Sequence, residues 1–211
     1  MKKYDQLLES NKAWAKAQAE ADPTFFEKMA AGQSPEFLWI GCADSRAPAD
    51  KITQTDPGSI FVHRNVANLV VHTDMNMLAV LQYAVEHLHV KHIMVVGHYG
   101  CGGVKAAMSN AELGLINKWV RNIKDVYVDH KKELEAISNE DDRFDRLVEL
   151  NVVQQVKHLA ETSIVQKAWK KGDYPHLHGW VLELKTGTIK KIYEIEAGEL
   201  DEIDPIYRFD I

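Results

Sequence analysis

Cysteine is nearly absent: the 211 residues contain two, Cys42 and Cys101. Two cysteines make no disulfide framework, so a stapled secreted scaffold is excluded. The Cys-x-x-Cys pair of a dithiol redox protein is missing as well. Long apolar runs are also lacking. No stretch reaches the roughly 18 residues that span a bilayer, and Met1-Lys2-Lys3-Tyr4-Asp5 carries no apolar signal core. A reducing cytoplasm is therefore the expected compartment. There is no excess of basic residues: 25 Lys and Arg stand against 31 Asp and Glu, for a formal net charge of -6. No basic footprint for nucleic acid is present, and neither nucleic acid nor membrane is an expected partner. Repeats and low-complexity linkers are missing too. What remains is 45% hydrophobic, enough for one well-buried core. A single domain is expected over 1–211, with a helical arm at 1–34, an α/β core at 35–195 and an acidic tail at 196–211.

The arm follows from Leu7, Leu8, Trp14 and Ala17 at near-helical spacing, with a second helix starting at Asp22-Pro23 and running through Phe25, Phe26 and Met29. Short apolar runs ending in turn residues predict strands at 36–41, 59–62, 92–97 and 177–184. A turn at Thr186-Gly187-Thr188 predicts a last strand near 189–194. Helices are expected at 75–89, 103–109, 115–136 and 144–170, and the charged stretch from Lys131 to Asp145 reads as a solvated helix end and loop. Strand–helix alternation implies an α/β fold with a mostly parallel central sheet, an antiparallel edge strand and flanking helices.

Each cysteine sits in a short chemical phrase directly after an apolar strand. Cys42-Ala43-Asp44-Ser45-Arg46 follows Phe37 to Gly41, and His98-Tyr99-Gly100-Cys101-Gly102-Gly103 follows Ile93 to Gly97. Two thiolates, one imidazole and a carboxylate suit a tetrahedral zinc ion. Strand C-termini are where open α/β sheets bind small molecules. Asp44 and Arg46, two apart in an extended turn, can face one side, and an Arg fork can keep a carboxylate ionised by two hydrogen bonds. Buried cysteines acting as plain hydrophobes would leave both the strand-end placement and Asp44 unexplained.

These phrases resemble the β-class carbonic anhydrases. The likeness extends through Gly58 to Asn68, Gln82-Tyr83-Ala84-Val85, Leu113 to Asn117 and His178-Gly179-Trp180, in order, from about Asn11 to about Leu184. It implies one Zn²⁺ per chain, held by Cys42, His98 and Cys101, and reversible hydration of CO₂ to bicarbonate and a proton by attack of zinc-bound hydroxide. Asp44, paired with Arg46, would orient the attacking water; freed from Arg46, Asp44 would itself ligate zinc and close the site. Gln33 matches a residue that reaches substrate across a subunit interface. Phe61, Val66 and Tyr83 match a small apolar pocket, and Gly102 and Gly103 are expected beside substrate. His87, four residues after Tyr83 and on the same helix face, matches a position at which the resemblance implies a proton carrier. Apolar N-terminal helices imply a homodimer or a tetramer built as a dimer of dimers.

Some bacterial members bind a regulatory bicarbonate through a Trp, an Arg and a Tyr. Here Trp39 and Arg64 match, but Leu182 stands at the Tyr position, so one polar contact is lost and bicarbonate inhibition is expected to be weak or altered. Two thiolates cancel the formal charge of zinc, so activity is expected to rise above neutral pH. Two alternatives use the same residues: hydrolysis of a CO₂ analogue such as COS or CS₂, and a non-catalytic zinc-stabilised bicarbonate-binding protein. The Asp44–Arg46 pair argues against the second, because a purely structural zinc needs no water-orienting carboxylate.

Overall fold

Apolar runs punctuated by glycine become strands, and the polar-faced segments between them become helices. The computed structural model describes residues 2–211, which divide into one unit up to Ser34 and a second from Pro35 to Ile211. The first unit is a helical pair, α1 (Lys3–Ala21) and α2 (Phe25–Ala30). Asp22 shapes the turn between them, its Oδ1 accepting from Thr24 N (2.9 Å) and Thr24 Oγ1 (2.7 Å). Trp14 packs edge-on against Phe25 and Phe26, with centroids 6.1 and 5.8 Å apart. No residue of either helix is buried, and Leu7 and Leu8 are 72% and 62% exposed.

The second unit runs β1 (Phe37–Cys42), α3 (Ala49–Thr53), β2 (Ile60–Asn65), α4 (Met75–Gln82), β3 (His92–His98), α5 (Gly102–Ala107), α6 (Ile116–Asp129), α7 (Lys131–Ala136), α8 (Glu140–Ala160), α9 (Ser163–Lys171), β4 (His176–Glu183) and β5 (Thr188–Ile195). The sheet order is β2-β1-β3-β4-β5. The first four strands are parallel, and β5 pairs antiparallel with β4. The expected fold is therefore the observed one. The chain steps outward from β1 to β2, then crosses back to β3 on the other side. The gap between the ends of β1 and β3 is thus the switch point of the sheet, where the crevice of an open α/β fold lies. Cys42 ends β1 and His98 ends β3.

Alternation along the strands splits the sheet's side chains between two faces. Leu38, Ile40, Ile93, Val95, Leu177 and Val181 pack with α4, α5, α6, α8 and α9 in the main core. Trp39, Met94 and Val96 form a smaller cluster with Ala49 of α3 on the other face. The seam between β3 and α8 is close: a Cβ on Gly97 would lie 2.7 Å from Val152 Cγ2.

Several helix boundaries differ from expectation. The helix expected over 115–136 breaks at His130 into α6 and α7. The helix expected from 144 starts at Glu140, so much of the charged stretch read as helix end and loop is α7 and the first turn of α8. Asn139 caps α8, its Oδ1 accepting from Asp141 N (2.9 Å) and Asp142 N (3.1 Å). Glu140, Asp141 and Asp142 then complement the positive end of the helix dipole. The same helix ends at Ala160, because Thr162 caps a separate α9. The helix expected over 75–89 finishes as one π-turn, Tyr83–His87. In the tail, buried Gln166 of α9 donates to Tyr207 O (3.0 Å) and accepts from Phe209 N (2.9 Å).

Candidate metal centre

Cys42, His98 and Cys101 bring three donor atoms to one point, all within 4.8 Å of one another, and all three residues are buried. The Cys42 and Cys101 sulfurs are 3.9 Å apart. Two thiolates on one tetrahedral zinc, with bonds near 2.3 Å, would lie about 3.8 Å apart. His98 Nδ1 faces Tyr99 O at 3.0 Å. A carbonyl only accepts, so Nδ1 carries the proton and Nε2 keeps its lone pair. That Nε2 is buried and has no hydrogen-bond partner. An orphaned buried nitrogen is costly unless something occupies the position it faces, so the donor set fits a zinc ion. The Cys42 thiol is held well below the ordinary thiol range chiefly by its bond from Cys101, with the amides of Ala67 and Asp44 adding to it against burial. The same shared bond, with burial, pushes Cys101 up.

The turn after β1 places Asp44 at the rim. Arg46 Nε donates to Asp44 Oδ1 (2.9 Å), Arg46 Nη2 to Oδ2 (2.7 Å) and Arg46 N to Oδ1 (2.9 Å). These bonds hold the carboxyl far below the ordinary carboxylate range. Asp44 Oδ2 lies 3.7 Å from His98 Nε2, so the carboxylate borders the donor cluster while bonded to Arg46. Arg64 braces the turn from β2: its Nε donates to Cys42 O (2.9 Å) and its Nη2 to Asp44 O.

Behind the donors lies a buried scaffold that motif reading does not reveal. Ala67 and Asn68 adopt left-handed backbone, φ 66° and 51°. This conformation is costly for residues with a Cβ and persists only when neighbours hold it. Here Asn151 Nδ2 donates to Ala67 O (3.2 Å), Gln155 Oε1 accepts from Val70 N (2.8 Å), and Gln155 Nε2 donates to Asn151 Oδ1 (3.1 Å). Asn151 and Gln155 are buried polar residues on an otherwise apolar face of α8. That mismatch is the signal in the sequence, but nothing local names their partners, 84 and 85 residues away.

The remaining expected site residues fall into three groups. Phe61, Tyr83 and His87 form an aromatic row: Tyr83 lies 5.8 Å from Phe61 and 5.3 Å from His87 between ring centroids. The π-turn puts Tyr83 and His87 on one side. Val66 and Tyr83 are 37% and 47% exposed, so this wall is open in the single chain. Gly103 faces Val66: a Cβ there would lie 2.8 Å from Val66 Cγ1. Gly102 precedes it at the start of α5, with nothing within 4 Å of the corresponding position. Trp39 is buried edge-on against Trp180 (6.3 Å), and Leu182, also buried, pairs in register with His98. Gln33 lies exposed near the end of the arm unit.

A protein-family model described as carbonic anhydrase matches residues 37–189. A carbonic anhydrase of Emericella nidulans is 50% identical over 204 residues, 97% of this chain and 90% of that protein. Among solved structures, a tetrameric β-carbonic anhydrase of Sordaria macrospora is 42% identical with a TM-score of 0.87, covering 91% of this chain and 98% of that one. A Coccomyxa β-carbonic anhydrase in complex with acetazolamide is 40% identical with a TM-score of 0.89, covering 95% and 91%. The converging thiols and imidazole, the sheet that positions them and these relatives agree: the chain belongs to the carbonic anhydrase family, in its β class, and is an enzyme.

Proposed function

We propose that the chain catalyses reversible hydration of CO₂ to bicarbonate and a proton at a zinc ion held by Cys42, His98 and Cys101. The observation that carries this reading is the unpartnered His98 Nε2 between two thiols, bordered by a carboxylate already locked to Arg46. Zinc, when bound, supplies the Lewis acidity that makes water a nucleophile near neutral pH. Asp44 accepts a hydrogen bond from the reacting water and turns a lone pair toward the substrate carbon. Arg46 keeps that carboxylate ionised and pointed away from the ligand position, which is the open form of the site. Arg64 holds the turn so that Asp44 does not drift.

Phe61, Val66 and Tyr83 offer an apolar wall to a substrate without a net dipole. His87, exposed beside Tyr83, passes the released proton to buffer. Gln33 reaches substrate from a neighbouring subunit of a homodimer or tetramer. The apolar residues left uncovered on α1 support that assembly. Arg64 is committed to two backbone carbonyls and Leu182 has no donor, so bicarbonate binds weakly beside Trp39. Among the described residues no helix is long and apolar enough to cross a membrane, and two free buried thiols suit a reducing cytoplasm.

The test is stopped-flow CO₂ hydration by zinc-replete protein from about pH 6.5 to about pH 9. Activity that climbs with pH and is blocked by acetazolamide supports the reading. No activity at any pH, with one zinc per chain confirmed, overturns it; turnover of COS or CS₂ by that protein would then identify the substrate.

A further inference from the structure

Glu149 lies on α8, which carries none of the metal donors, yet it is tied to the donor loop through one side chain. Tyr99 follows His98, and its carbonyl accepts the His98 Nδ1–H. The orientation of that carbonyl therefore decides which imidazole nitrogen keeps a lone pair for a metal. Tyr99 is pinned twice more. Its N–H donates to Leu182 O on β4 (3.1 Å), and its phenol donates to Glu149 Oε1 (2.7 Å). Glu149 is held in turn: Lys190 Nζ donates to Oε1 (2.8 Å) and Arg146 Nη1 to Oε2 (2.9 Å). Arg146 Nε also donates to Glu133 Oε1 (2.6 Å).

Two cations from α8 and β5 and two carboxylates from α7 and α8 thus converge behind the loop, and their formal charges balance. The Glu149 side chain is only 14% exposed, so its bonds are sheltered from the screening that weakens a surface pair. Gly100, in left-handed backbone at φ 71°, carries the chain from this anchor to Cys101. A tether on Tyr99 therefore constrains two of the three donors at once.

We propose that Glu149, acting through the Tyr99 phenol, is a positioning residue for the metal centre: it fixes the His98 tautomer and the His98–Cys101 loop, and through them zinc retention. This rests on the reading of Cys42, His98 and Cys101 as zinc ligands. The groups involved touch neither substrate nor metal, so their effect appears in metal affinity before it appears in chemistry.

The experiment is zinc affinity by chelator competition, with thermal unfolding of zinc-bound and zinc-free protein, for the parent, Tyr99→Phe, Glu149→Met and Glu149→Gln. Loss of an outer partner of a metal-binding His typically costs about 10–100-fold in metal affinity. The phenol and Glu149 are one step beyond that partner, so a smaller weakening, about 5–10-fold, is expected for Tyr99→Phe and Glu149→Met. Glu149→Gln keeps an oxygen for the phenol and is expected to stay within about threefold of the parent. Bound zinc stabilises by an amount set by its Kd. A purely structural defect would lower both melting temperatures equally, whereas the proposal requires the gap between them to narrow. Zinc affinities within about twofold of the parent for both Tyr99→Phe and Glu149→Met, with the gap unchanged, overturn the proposal. If Glu149→Met does not fold, Tyr99→Phe, which removes one oxygen atom, decides alone. A parent that binds no zinc overturns the metal reading instead.

Discussion

Replacing Gly103 by alanine asks whether this glycine serves close packing or substrate contact. A Cβ there would lie 2.8 Å from Val66 Cγ1 and 3.0 Å from Ala67 Cβ. Carbon atoms rest at about 3.5–4.0 Å, so one side must retreat by roughly 1 Å. Neither side retreats easily. Val66 O accepts from Trp119 Nε1 (2.7 Å), Ala67 O accepts from Asn151, and Ala67 already holds left-handed backbone. Overpacking of this kind costs about 1–3 kcal/mol. At about 2–4 °C per kcal/mol for a chain of this length, Tm should fall by about 2–12 °C. The Ala67 amide serves the Cys42 thiolate, so displacing it should also weaken zinc retention. The assay is thermal unfolding of the zinc-bound and zinc-free variant, with zinc counted after dialysis against a chelator and kcat/KM expressed per bound zinc. An unchanged Tm and full zinc retention would refute the packing argument. A collapse in kcat/KM under those same conditions would show instead that Gly103 contacts substrate.

Asp44→Asn should lower kcat/KM by about 100-fold while one zinc per chain remains, because an amide turns a donor toward either Arg46 or the reacting water; stopped-flow rates within about threefold of the parent would reject that role. The pH profile should climb above neutrality, since two thiolate donors blunt the acidity a metal confers on water. Asp44 does not contribute to that rise: with its folded pKa depressed, its ion pair is intact above the ordinary carboxylate range and is lost only as pH falls through the depressed value. Arg64→Ala should slow CO₂ hydration by releasing the Cys42–Asp44 turn, and bicarbonate titration of the parent should show weak inhibition. Full occupancy of bicarbonate beside Trp39 and Arg64 in a soaked crystal would count against this.

The strands and the donor residues were legible in the sequence because both are local signals. Apolar runs such as Ile93 to Val96 announce buried strands, and Cys42, His98 and Cys101 sit directly after two of them. The Asp44–Arg46 pair is readable for the same reason, being two residues apart. Helix ends were less legible. The break at Thr162 depends on one hydroxyl capping a helix inside a segment whose periodicity continues on either side, and the early start of α8 depends on Asn139 capping a run of acidic residues that the helix dipole favours. The scaffold shows in the sequence only as polar residues on an apolar face of α8, without their partners. Tyr99 and Glu149 are 50 positions apart, and Asn151 and Ala67 are 84 apart.

By itself, the sequence determined the α/β class, the zinc-type donor set and the carboxylate–guanidinium pair beside it. Those follow from residue chemistry and from spacings shorter than one element. Tertiary structure alone decided that β1 and β3 lie side by side at the switch point, that His98 presents Nε2 while Tyr99 holds Nδ1, and that α8 braces the loops after β2 and β3. These are properties of strand order and packing, set by which distant surfaces exclude water together, and no short stretch of sequence encodes them.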